Sequence, residues 1–189
     1  MCIDQPIFDR ERESPLRITD GVFVPAADVD PAFVREKKDG LLFLDALAPQ
    51  FRISGIRHPK DNGNEYYRLD AKRTAYSPAN ASLAECTAGA QIRFRTDAEK
   101  LTLRITLRAA IAGMHHFTDR GAYGIDLYTG TGTKRTYLGA MMQTFADSPV
   151  YNEQTVALPG GMQEVTINLP LYGGINSFVI GMPENALLG

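Results

Sequence analysis

The chain has 189 residues, of which 44% are hydrophobic and 22% charged, and its net charge is −2 with a pI near 5.9. That balance is ordinary for one globular domain with a sizeable core, and it offers no electrostatic footprint for nucleic acid or an anionic membrane. No apolar run approaches the ~20 residues that span a bilayer, and the charged N-terminus MCIDQPIFDRERESP contains no apolar leader segment, so the sequence as written reads as cytoplasmic.

In chain order, residues 1–40 look irregular and are expected to form an arm, partly loose or packed on the rest of the domain. Within them DVDPAFVREKK offers Asp30 as N-cap and Pro31 at the first helical position, which predicts about two helical turns. Short strands are then expected at LLFL (41–44), FRISGI (51–56) and YYRL (66–69). SPANASLAEC has room for one helical turn. The clearest period of two comes next. QIRFRT alternates Ile92 and Phe94 with Arg93 and Arg95, and LTLRITLR places Leu101, Leu103, Ile105 and Leu107 on one face. The short polar linker DAEK between them predicts a hairpin. Residues 123–128 and 135–142 flank the tip TGTGTK, QTVAL (154–158) adds a strand, and QEVTINL buries Val165, Ile167 and Leu169 before YGGIN turns into SFVIGM. Nine or ten short strands with little helix predict an all-β protein, an antiparallel β-sandwich or jelly roll.

The motifs with chemical potential are few. TGTGTK is rich in glycine, but a phosphate loop must lead into a helix and here a strand leaves, so its glycines are expected to supply positive φ at a hairpin tip. His115 and His116 are adjacent, and neighbours in a strand point to opposite faces, so both cannot ligate one metal from regular strand geometry, and a metal site would have to borrow Asp119 or Asp126. No metal or other cofactor is expected. The cysteines, Cys2 and Cys86, make neither a disulfide framework nor a zinc spacing, and Cys86 reads as a buried thiol. All three histidines (His58, His115, His116) precede residue 117, and there is no Gly-x-Ser-x-Gly elbow, so the sequence contains no recognisable nucleophilic triad. Arg93, Arg95, Arg104 and Arg108 would share the polar face of the expected hairpin. That face fits an acidic sugar, although a solvated sheet face is the plainer account.

Several segments resemble, in order, the GxDLY domain found at the N-terminus of bacterial SGNH/GDSL-type hydrolases. GIDLY (124–128) matches the naming motif, and FRISGI (51–56) resembles the segment that opens the domain. YYRLD (66–70) resembles a Tyr-Arg-Leu-Pro element, with Asp70 in place of Pro. AGAQIRFRTDAEKLTLRITL (88–107) and LPGGMQEVTINLPLYGGINSFVIG (158–181) resemble the middle and closing strands. The resemblance implies a galactose-binding-like β-sandwich over 41–189, accessory to an SGNH catalytic domain that removes acyl groups from carbohydrates or similar substrates. The Gly-Asp-Ser and Asp-x-x-His blocks of that catalytic half are not in this sequence; ADSP (146–149) lacks the glycine.

Two roles are compatible with this resemblance. The first is a non-catalytic domain that positions substrate for, or docks on, the SGNH catalytic domain as its partner; the second is a free-standing carbohydrate-binding module. Whether the chain counts as an enzyme is open on this reading. In GIDLY, Asp126 and Tyr128 share the face opposite Ile125 and Leu127, and a carboxylate beside an aromatic ring suits sugar hydroxyls and a sugar face. Asp126 also suits a structural role, accepting hydrogen bonds from a neighbouring loop or Arg120. The candidate ligand-binding or domain-docking residues are Asp126, Tyr128, His115, His116, Arg120, Tyr66 and Arg68, and the ligand class is a carbohydrate or an acyl ester.

Overall fold

A computed structural model describes residues 22–57, 59–63, 65–69, 77–108, 116–141 and 151–189. His58, His115, Cys2, Asp70 and the ADSP segment lie outside the described residues. The strands are β1 (Val24–Pro25), β2 (Val34–Lys38), β3 (Leu41–Asp45), β4 (Arg52–Ser54), β5 (Gln91–Thr96), β6 (Lys100–Leu107), β7 (Ile125–Thr129), β8 (Thr136–Met141), β9 (Tyr151–Ala157), β10 (Gln163–Asn168), β11 (Ile175–Pro183) and β12 (Leu187–Leu188). Two short helices, α1 (Pro78–Ala84) and α2 (Asp119–Tyr123), interrupt them. One sheet has the order β1-β12-β5-β10-β7-β8 with β4 also on β5, the other β2-β3-β11-β6-β9, and every pairing among the described strands is antiparallel.

The protein is an all-β antiparallel sandwich, and its core lies between the two sheets. Ile92, Phe94, Leu101, Leu103, Ile105, Leu107, Ile125, Leu127, Val165, Ile167 and Leu169 are all buried there, as the period of two requires. Phe51 meets Phe94 edge to face at 4.9 Å between ring centroids. Cys86 is buried beside Ser82, whose carbonyl its thiol approaches at 3.7 Å, and burial pushes the thiol pKa up.

Three local expectations are corrected. First, β5 and β6 do not form a hairpin: they lie in different sheets, and residues 97–99 carry the chain from one sheet to the other. Ala98 is buried at that crossing, where its N–H donates to the hydroxyl of the buried Thr96. Second, Asp30 does cap a helical start, accepting from Ala32 N at 2.9 Å, but only a single 3₁₀ turn forms, because Val34–Lys38 pairs with β3 instead. Third, residues 66–69 are irregular rather than a strand. They are pinned by Arg108, whose guanidinium bonds the Tyr67 hydroxyl at 2.5 Å, pairs with Glu65 and lies 4.7 Å above the Tyr67 ring. Residues 22–38, part of the expected arm, pack on the sandwich with β1 against β12 and β2 against β3, one strand in each sheet.

The hairpin tip between β7 and β8 is as expected: Gly130 and Gly132 have φ of +92° and +54°, a region a Cβ disfavours.

Candidate functional site

The outer face of the larger sheet carries a crevice of about 470 Å³. Its floor is set by strand register. Gln91 on β5 faces Asn168 on β10, Asn168 faces Asp126 on β7, and Asp126 faces Ala140 on β8. Their neighbours Ile92, Ile167 and Leu127 point into the core, so alternation turns this polar row outward. Gln91 Nε2 donates to Asn168 Oδ1 at 2.7 Å, and among the described residues neither amide makes a further side-chain hydrogen bond.

The wall is α2 and the turn into β7. Thr118 caps the helix, its hydroxyl accepting from Gly121 N at 3.4 Å, and Ala122 and Tyr123 anchor it in the core. Gly124 then brings the chain sharply round: its N–H donates to Arg120 O at 3.0 Å, and a Cβ built on it would lie 2.3 Å from that same oxygen. The first residue of the GIDLY motif is thus a glycine for want of space. Tyr172 N donates to Ala122 O at 2.8 Å and ties the loop after β10 to α2, which brings Leu171 to the crevice. Arg120 and Gly121 complete this side, and Tyr137, 56% exposed, stands opposite on β8.

Asp126 is half-buried in this crevice and accepts a hydrogen bond from the Tyr128 hydroxyl at 3.0 Å. The Tyr128 ring meets that of Tyr137 at 5.6 Å and 62°. The hydrogen bond to Asp126, and the carboxylate's charge, raise the Tyr128 pKa, because ionising the phenol would set two anions side by side. Removing that charge by Asp126→Asn is therefore expected to lower the titration midpoint of one of the eight tyrosines, read by ultraviolet difference titration. The sign comes from the raised folded-state pKa: what the bond contributes to stability is present below the ordinary tyrosine range and is lost as pH rises through the raised value.

The structure divides the sequence candidates. Asp126 and Arg120 line the crevice and Tyr128 bonds Asp126. His116 is exposed on the turn before α2 and is not among the lining residues, and His115 lies outside the described residues. Tyr66 is only 2% exposed, packed in the core apart from the crevice, and burial pushes its phenol pKa far up. Arg68 lies at the end of α1, donating to Leu83 O at 3.4 Å. Sequence reasoning missed Gln91 and Asn168. Their signal was their outward parity in QIRF and TINL, but only the sheet order places them beside Asp126.

The expected arginine face does not exist as one surface, since β5 and β6 are in different sheets. Arg104 lies on the smaller sheet, 3.5 Å above the Phe43 ring, paired with Glu36 and, at 2.5 Å, with Glu153. Arg108 holds Glu65, and Arg95 stacks on Phe23 at 4.9 Å.

Comparison with known proteins agrees with this architecture. A family model described as GxDLY, the N-terminus of SGNH-hydrolase-type esterases, matches residues 41–188. Among solved structures, a GDSL-like lipase candidate from Bacteroides ovatus ATCC 8483 superposes with a TM-score of 0.64 at 22% identity, over 77% of this chain and 42% of that one. The salicylyl-acyltransferase SsfX3 from a tetracycline biosynthetic pathway superposes with a TM-score of 0.55 at 17% identity, over 80% of this chain and 42% of that one. At these identities the likeness is one of fold, and this chain spans less than half the length of either. No curated protein matches the sequence. With its naming motif at 124–128 and a family match over 41–188, the chain belongs to the GxDLY family, the N-terminal domain of SGNH-type esterases.

Proposed function

We propose that this domain is a non-catalytic partner of an SGNH catalytic domain and that its crevice holds the polyhydroxylated part of an acyl-ester substrate. The observation that carries the reading is the composition of the crevice. A carboxylate at Asp126, two side-chain amides at Gln91 and Asn168, and Arg120 line one crevice, beside the exposed ring of Tyr137. Carboxylate and amide groups exchange hydrogen bonds with hydroxyls, and an exposed tyrosine ring offers an apolar face to a sugar ring. Such groups bind and orient. Among the described residues no serine lines the crevice to act as nucleophile.

The experiment joins the domain to an SGNH catalytic domain. The 189-residue chain alone is expected to turn over neither acetylated sugar nor nitrophenyl acetate. In the joined protein, Asp126→Ala is expected to lower kcat/KM on acetylated sugar by about tenfold, the worth of one charge-assisted hydrogen bond, while leaving nitrophenyl acetate untouched. Equal losses on both substrates, or none on either, would contradict the reading.

A further inference from the structure

With Arg104 and Arg108 paired to carboxylates and Arg95 on Phe23, Arg93 remains, and it is not isolated. Strand register sets Arg52 of β4 directly beside Arg93 of β5, then Thr166 of β10, then Tyr128 of β7, whose bulged pairing brings Tyr137 of β8 next. This row lies next to the crevice row on the same outer face, roughly 7 Å along the strands. Arg135, two residues before Tyr137 at the start of β8, shares that outer face by strand alternation, and its charge acts on Arg93.

We propose that Arg52, Arg93 and Arg135 form an anion subsite continuous with the crevice, taking the carboxylate or phosphate of a ligand whose neutral ring lies at Asp126 and Tyr137.

Two features support it. First, no ion pair or side-chain hydrogen bond engages any of the three guanidiniums among the described residues, whereas Arg35, Arg104 and Arg108 all hold carboxylates. Glu164 is the acid near Arg93, but in register it faces Arg95 and makes no ion pair there. Burial lowers the Arg93 pKa first, Arg135 adds to this, Glu164 opposes it and Arg52 adds again, so the cluster is left with excess positive charge. Second, Arg93 Nε, Arg135 Nε and Thr166 Oγ1 are buried without a hydrogen-bond partner, and Thr166 is 0% exposed. Buried polar groups normally have partners, and three unmet ones in one cluster mark a place where an acceptor belongs. A planar oxyanion meets guanidinium forks in bidentate fashion.

The inference rests on the crevice reading for the neutral part of the ligand, and its test separates the two. The 189-residue chain is titrated calorimetrically with galacturonate, galactose and inorganic phosphate. Galacturonate is expected to bind about tenfold tighter than galactose, the difference one charge-assisted contact makes. Arg93→Gln and Arg135→Gln should each erase that preference and abolish phosphate binding, with galactose affinity and melting temperature unchanged. Arg52→Gln, at an exposed position that cannot unfold the core, should weaken galacturonate in the same direction. Equal affinity for galacturonate and galactose would overturn the anion subsite and leave the crevice reading standing. Phosphate binding that is lost in the variants, without any sugar binding, would uphold the subsite and overturn the crevice. A galacturonate preference that survives the substitutions, or Arg93-dependent capture of a glutamate-rich peptide but of neither small anion, would overturn the subsite.

Discussion

Leu103→Ala is expected to destabilise the domain by about 2–5 kcal/mol, the range for emptying a well-packed core site. Leu103 is 0% exposed on β6, between β11 and β9, and points at the opposite sheet. The neighbouring backbone is held by ladders on both sides, so it cannot collapse into the space. A denaturant melt should show an earlier midpoint with an unchanged slope. A loss well under 1 kcal/mol would mean that β6 does not face the core.

The second large effect belongs to the glycine that opens the naming motif. Gly124→Ala is expected to cost about 1–3 kcal/mol, as overpacking does, because the new methyl would sit 2.3 Å from the Arg120 carbonyl oxygen. The backbone itself is not the obstacle, since Gly124 has φ −68°. Relief requires α2 to move, and with it Arg120 and Gly121 on the crevice wall. The variant should therefore lose ligand affinity beyond what its melting temperature explains. By contrast Gly139→Ala, where a Cβ meets nothing within 4 Å, should do neither.

These two residues also mark what is legible in the sequence. The inward face of β6 can be read from Leu101 to Leu107, because alternation reports which side chains are buried. It does not report which sheet a strand joins. The DAEK linker therefore reads as a hairpin turn when it is a crossing between sheets, with Ala98 buried within it. VREKK reads as helix because its start signal is real: Asp30 does cap a turn, but the open edge of β3 takes the residues after it. Tyr66 reads as a site residue because its segment has no period to reveal burial, and it lies in the core. Asp126 can be found from its place between Ile125 and Leu127. Its neighbour pair Gln91 and Asn168 cannot, since 77 residues separate them and only the β5-β10-β7 order unites them with it.

Occupancy of the crevice on the outer face of the larger sheet by a polyhydroxylated ligand can be read residue by residue. The backbone amides of the nitrogen-labelled chain are followed by NMR during titration with an acetylated sugar. Saturable shifts are expected at Gly121, Gly124, Asp126, Tyr137 and Asn168, absent in Asp126→Ala, with the amides of β2, β3 and β9 still. Shifts confined to the smaller sheet, or no shifts where the joined protein does act on that sugar, would contradict a ligand in the crevice.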